Sequence, residues 1–185
     1  MQRRTFLATT TLAATSLSAI TSTGASATDR TTKGFVVKAN QNRFGETTKL
    51  FGISPNDIKV SSKDTGGNLT IFEYNGRAKG GPPMHIHPHQ DEIFYVLAGQ
   101  YRFQVGDEKH ELTAGDTIFM PRNVPHTFAQ LTDLGRMIFF LQPDSQMEDY
   151  FREVAKLTAK TAPQEGPKLF ANHDMQVVGP PLAIE

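Results

Sequence analysis

Between Asp57 and Gln142 apolar and polar residues alternate in short runs, and turn formers separate the runs. "IKVSS", "NLTIFEY", "IFYVLAG", "YRFQV", "KHELT", "TIFMP", "HTFAQL" and "RMIFFLQ" each read as a strand, because a two-residue period sends successive side chains to opposite faces of a sheet. The separators are Gly66–Gly67, Gly80–Gly81–Pro82–Pro83, Gly99, Gly106–Asp107, Gly115–Asp116, Asn123 and the stretch from Asp133 to Gly135. About eight strands at this spacing predict an all-β sandwich or barrel. From Ser145 the period lengthens. Met147, Tyr150, Phe151, Val154 and Leu157 recur at helical spacing behind Ser145 and Glu148, a capping-box pair, which predicts a C-terminal helix packed on the barrel. Pro163 to Pro167 is expected to break that helix, and the tail beyond it is apolar enough in patches to lie along the body or along a second subunit. Residues 28–56 are polar and weakly patterned, with one β-prone piece at "FVVK". The expected organisation is an N-terminal arm over 28–56, a β-barrel over 57–142, and a helix with its tail over 143–185.

The first 27 residues follow another logic. Arg3 and Arg4 precede Phe6 and Leu7, a mildly apolar stretch diluted by Thr and Ser follows, and Ala25-Ser26-Ala27 offers small residues for cleavage. This reads as a twin-arginine export signal, so the mature protein is expected in the periplasm or secreted. The apolar stretch falls short of the roughly 20 residues a membrane span needs, so no membrane anchor is expected.

Charge and composition narrow the partners. The chain holds 19 basic and 19 acidic residues, and removing the signal takes away two arginines, leaving 17 against 19, a net charge of −2. No basic stripe exists to follow a phosphate backbone, so nucleic acid is not an expected partner. The absence of cysteine removes disulfides, thiolate ligands and cysteine nucleophiles, so a metal would need nitrogen and oxygen donors.

Such donors are concentrated in "MHIHPHQDEIFYVLAG", residues 84–99, which holds three of the six histidines. On an extended strand His85, His87 and, by parity, His89 point to one side. Pro88 should bend the chain, which makes His89 a rim residue rather than a fifth ligand. Asp91 should face away from its neighbour Glu92 and brace a hairpin or meet solvent. A second segment, "AGDTIFMPRNVPHTFAQ", residues 114–130, carries a tight turn, a strand, a Pro-bounded loop and His126. His110 and His173 have no motif around them and are expected on the surface.

The two segments resemble the two motifs of the cupin family. The first has His85-x-His87, four residues, Glu92, six residues and Gly99; the second has Gly115, five residues, Pro121 and then His126. The resemblance implies a double-stranded β-helix, the jelly-roll barrel, in which the matching residues His85, His87, Glu92 and His126 converge on one divalent transition metal: Fe, Mn, Ni, Co, Cu or Zn. Three imidazoles and a carboxylate suit such an ion, and four protein ligands on a six-coordinate ion leave two positions for substrate and a small molecule. Three positions depart from the pattern: Asn123 replaces a glycine, Gln130 replaces an asparagine, and Lys79 stands where the leading glycine is expected, with Gly80 and Gly81 beside it.

More narrowly, "GGNLTIFEY", "GGPPMHIHPHQDEIFYVLAG" and "VVGPPL" resemble single-domain cupins of the quercetin 2,3-dioxygenase-like kind. In those enzymes a flavonol hydroxylate binds the metal, the ligand glutamate takes the substrate proton, and dioxygen adds across the heterocycle to release carbon monoxide. The resemblance thus implies a metal-dependent dioxygenase in which Glu92 is both ligand and catalytic base, acting on a flavonol-like or other enolizable small molecule. Phe94, Val96 and Phe128 share the inward parity and serve either as apolar walls or as core. The rival functions are a metal-dependent isomerase or lyase acting on a sugar or small acid, and a non-catalytic ligand-binding cupin. Edge strands and the apolar tail favour a homodimer. Because twin-arginine export moves folded proteins, metal would be acquired in the cytoplasm, before copper or zinc outside competes.

Overall fold

The computed structural model describes residues 30–184 apart from Ser145 and Ala159, so the export signal and the Ser145 half of the capping box lie outside the described residues. The chain order begins with β1 (Thr48–Leu50), β2 (Ser54–Val60), the short α1 (Ser62–Thr65), β3 (Thr70–Gly76) and β4 (Pro83–Ile86). It continues with β5 (Asp91–Ala98), β6 (Tyr101–Val105), β7 (Glu108–Leu112), β8 (Thr117–Met120), β9 (His126–Gln130) and β10 (Gly135–Gln142). Two helices, α2 (Met147–Val154) and α3 (Ala162–Asn172), and a last strand, β11 (Gln176–Pro181), complete it. The strands form two antiparallel sheets, one ordered β1-β2-β3-β10-β5-β8 and the other β11-β4-β9-β6-β7. Among the described residues no helix is long and apolar enough to cross a membrane.

Each of the eight strands expected from alternation is present, and the alternation is what builds the core. Along β10 Met137, Phe139 and Leu141 are buried while Arg136, Ile138 and Phe140 between them are partly exposed. Phe139 stacks on Phe72 at 4.9 Å and on Phe94 at 5.2 Å, linking three neighbouring strands of the larger sheet. Truncating any of these rings to alanine would cost about 3–5 kcal/mol. The Gly80–Gly81 pair has a packing reason: a Cβ on Gly81 would lie 1.8 Å from the Phe128 carbonyl oxygen, so only glycine lets the two backbones approach. Asn123 sits at φ +63°, a left-handed conformation that asparagine tolerates, so it does the work of the glycine it replaces.

Three expectations change. The stretch 28–56 holds more than an arm, since β1 and most of a hairpin with β2 fall inside it, whereas "FVVK" is not a strand. The hairpin turn is Phe51 (φ +52°) and Gly52 (φ +77°); a phenylalanine in a left-handed position is not a turn signal the sequence advertises. Among the described residues Glu148 bonds to another element. It reaches back to accept hydrogen bonds from the Ser61 hydroxyl at 2.7 Å and the Ser62 N–H at 2.8 Å, pinning α2 to α1, while the N-cap position falls to Gln146 without a side-chain cap. The prolines do not end helical structure either: Pro163 lies in the first turn of α3, where its missing N–H costs nothing, and Pro167 lies inside that helix. The tail does lie along the body, as expected, and does so as β11, pairing antiparallel with β4 through Gln176↔Ile86, Val177↔His85, Gly179↔Met84 and Pro181↔Pro83.

Candidate metal centre

His85 is the third residue of β4, and His87 follows the end of that strand. Glu92 is the second residue of β5, and His126 opens β9 directly opposite His85 in the β4–β9 register. The two motifs are thereby brought face to face. One donor atom from each of the four residues lies within 4.8 Å of all the others, an arrangement that can hold a metal ion. The ring centroids are 4.7 Å apart for His85 and His126, 5.1 Å for His85 and His87, and 5.3 Å for His87 and His126. All four side chains are buried.

The outer nitrogens decide which ring nitrogens are free. His85 Nδ1 lies 2.9 Å from the Pro83 carbonyl and His126 Nδ1 lies 2.9 Å from the Val124 carbonyl. A carbonyl only accepts, so Nδ1 carries the proton in both rings and Nε2 presents a lone pair. His87 Nδ1 meets Gln90 Oε1 at 3.0 Å, and the Gln90 amide is oriented by its own donation from Nε2 to the Pro143 carbonyl at 2.8 Å. His87 therefore also offers Nε2. Burial pushes the His85 imidazole well below its ordinary pKa, with the neighbouring His126 and His87 adding to the effect. Burial lowers His87 too, partly opposed by the Glu92 carboxylate. Those two rings are neutral at neutral pH, the form that binds metal.

The arrangement is unfavourable without a cation. His126 Nε2 is buried with no hydrogen-bond partner among the described residues, and it faces Glu92 Oε2 at 3.4 Å. Two lone-pair-bearing atoms this close repel one another unless a proton or a metal ion lies between them. The donor set of three imidazole nitrogens and one carboxylate thus fits a divalent transition ion.

The remaining candidates sort clearly. His89 is exposed and paired with Asp174 Oδ2 at 2.6 Å, outside the cluster and on the rim. Asp91 turns away from Glu92 and takes Arg122 through its backbone N–H at 2.9 Å and its guanidinium at 2.6 Å, bracing the loop that leads to β9. His110 is exposed, as expected. His173 is not: it is 5% exposed, donates from Nδ1 to the Leu169 carbonyl at 2.9 Å and packs on the Tyr150 ring, because the end of α3 turns inward to begin β11. Gln130, in place of the motif's asparagine, accepts from the Tyr101 hydroxyl at 3.3 Å and donates to the Thr132 carbonyl at 2.9 Å. Gln90 carries no sequence signal, because its role depends on where the Pro143 carbonyl falls in space.

The four side chains stand on the wall of a cavity of about 370 Å³. Phe94, Phe128, Phe139, Phe151 and Phe170 supply much of the rest of the wall, while Val96 is buried in the core behind it. A space of this size and character accommodates a small, largely apolar molecule.

Residues 71–141 match the cupin domain family. The matched stretch runs from β3 into β10 and takes in all four candidate ligands. The chain is 32% identical over 80 residues to Protein SchB of Streptomyces halstedii, a match covering 43% of this chain and 58% of that protein. It is 27% identical over 109 residues to quercetin 2,3-dioxygenase of Bacillus subtilis, covering 58% of this chain and 32% of that enzyme. The chain therefore spans little more than half of the first relative's length and a third of the second's. Among solved structures KdgF from Halomonas sp. superposes with a TM-score of 0.54 at 19% identity, covering 63% of this chain and 99% of that one, which places the two in the same fold.

Proposed function

We propose that this chain is a cupin and a metal-dependent dioxygenase acting on a flavonol-like or other enolizable aromatic compound, with His85, His87, Glu92 and His126 as the metal ligands. The observation that carries the proposal is that the four donors open into an apolar, phenylalanine-walled cavity instead of being sealed in the core. A structural metal site is closed; a working one is not. The partial likeness to quercetin 2,3-dioxygenase supports the oxygenase reading over an isomerase or a passive binder.

A divalent ion in this site supplies Lewis acidity toward a substrate oxygen. The protein's own part is positioning and proton transfer. Phe94 and Phe128, tilted toward each other at 5.5 Å between ring centroids, offer faces and edges against which an aromatic substrate packs. Among the described residues Glu92 is the one acidic side chain on the cavity wall, and it takes the proton of the substrate's enolic hydroxyl. The closely packed aromatic wall keeps bulk water from that carboxylate and from the reacting carbon. We further infer export of the folded, metal-loaded protein through the twin-arginine signal in residues 1–27.

The test is an oxygen electrode. Protein loaded separately with iron, manganese, cobalt, nickel or copper is expected to consume oxygen with quercetin, and Glu92→Gln to lower kcat by at least a hundredfold. No oxygen uptake with any loaded metal, on quercetin or on a β-diketone, would overturn the dioxygenase reading. Metal-dependent turnover of a sugar or small acid without oxygen would put an isomerase or lyase in its place.

A further inference from the structure

Helix α2 brings to the cavity a polar group that lies outside both cupin motifs. Tyr150 is 7% exposed, and its ring is held by Phe151 at 5.1 Å, Phe170 at 5.3 Å and His173 at 5.6 Å. Phe170 in turn lies edge-on to the His85 ring at 5.1 Å, so the tyrosine is one ring removed from the metal cluster. The side chain lines the same cavity as Glu92 and the three histidines. Its hydroxyl nevertheless makes no hydrogen bond to another described residue, although a buried tyrosine ordinarily finds a partner. The aromatic contacts hold the ring in place; the hydroxyl is left with the cavity.

We propose that Tyr150 is a catalytic residue that donates a hydrogen bond to the substrate oxygen from which Glu92 removes the proton. The inference rests on the reading above that the cavity takes a ligand with an acidic hydroxyl. In the transfer the substrate O–H bond breaks, the proton goes to the Glu92 carboxylate, and the electron pair stays on the substrate oxygen. The Tyr150 O–H bond stays intact and points at the charge that develops. Burial, reinforced by the negative charge of Glu92, pushes the phenol pKa far above its ordinary value, so the group is a donor at every physiological pH. Glu92 itself is not the acceptor, since its polar contact in the structure is with His126. The proposal also gives α2 a function beyond packing, because it delivers the donor from outside the barrel.

The experiment uses the full chain loaded with zinc, which has no redox chemistry, and 4-nitrocatechol, a chromophoric probe with acidic hydroxyls. Binding and loss of the probe's proton are both followed by absorbance, for wild type and Tyr150→Phe, with metal content and circular dichroism measured on each. The expected result is that Tyr150→Phe keeps its metal and its fold, binds the probe about tenfold more weakly, and shifts the bound probe's proton loss up by about one pH unit, the equivalent of one hydrogen bond to a charged group. A merely structural tyrosine would leave that titration where it is. Equal affinity and an unmoved titration overturn the proposal, and so does a wild-type protein that takes up no probe. A wild type that binds the probe and differs from Tyr150→Phe, yet consumes no oxygen under any metal, defeats the dioxygenase reading and leaves this donor in place.

Discussion

Gln90→Leu isolates the part of the site that no motif contains. In the folded protein Gln90 Oε1 accepts the His87 Nδ1 proton at 3.0 Å, and this acceptor keeps the His87 Nε2 lone pair facing the other three donors. Leucine fills a similar volume without the acceptor. Two outcomes are then open to His87: to keep Nδ1–H buried and unpaired, at about 1–3 kcal/mol, or to move the proton to Nε2 and lose the ligating atom. Metal binding demands the first, so the cost falls on the bound state. At about 1.4 kcal/mol per factor of ten, the metal dissociation constant should rise by about 10- to 100-fold, the range found when a partner behind a ligating histidine is removed. The assay is competition for zinc or cobalt against a chromophoric chelator, with His87→Ala setting the value for a site that has lost the ligand outright. Because the Pro143 carbonyl also loses its donor, circular dichroism and the melting temperature of the metal-free protein are recorded alongside. A folded Gln90→Leu protein that holds metal within twofold of wild type would refute the tautomer argument.

Two further outcomes follow from the same contacts. His85 and His87 have lowered pKa values in the fold, so between their folded values and the ordinary value near 6.5 the unfolded chain binds more protons than the folded one. Stability of the metal-free protein is therefore full above about pH 6.5 and falls as pH drops below it; urea midpoints of chelator-treated protein at pH 7.5 and 5.5 check this, and equal midpoints would contradict it. Glu148→Ala strands the Ser61 hydroxyl and the Ser62 N–H that it accepts from, at about 3 kcal/mol, which for a domain of this size lowers the melting temperature by roughly 6–12 °C in calorimetry. A drop under 2 °C would mean that α2 is held by its aromatic contacts alone.

Much of the barrel was legible because alternation is a local property: "RMIFFLQ" reads as a strand with Met137, Phe139 and Leu141 inward whatever surrounds it. Three of the missed elements are ones whose reason is not local. β1 is three residues long and exists through its pairing with β2; α3 carries two prolines; and β11 contains Gly179-Pro180-Pro181, a strand-breaking run acceptable only on an edge. The candidate site divides in the same way. His85, His87, Glu92 and His126 stood out because their spacing along the chain repeats a family motif, and the structure brings them together. Gln90 and the buried His173 bond to carbonyls 53 and 4 residues away that only the folded backbone supplies. Glu148 shows the hazard of local reading, since a sound capping-box pattern concealed an anchor to a serine 87 residues upstream.

The strand that carries His85 is flanked by unequal neighbours. Its register with β9 is the single pair His85↔His126, whereas β11 meets it at four positions close to the C-terminus. Residues 176–181 thus act as a splint for the strand that carries His85, and tampering with them is felt at that side chain. Exopeptidase trimming back to Met175 would show first as weakened metal binding and only later as melting of the barrel.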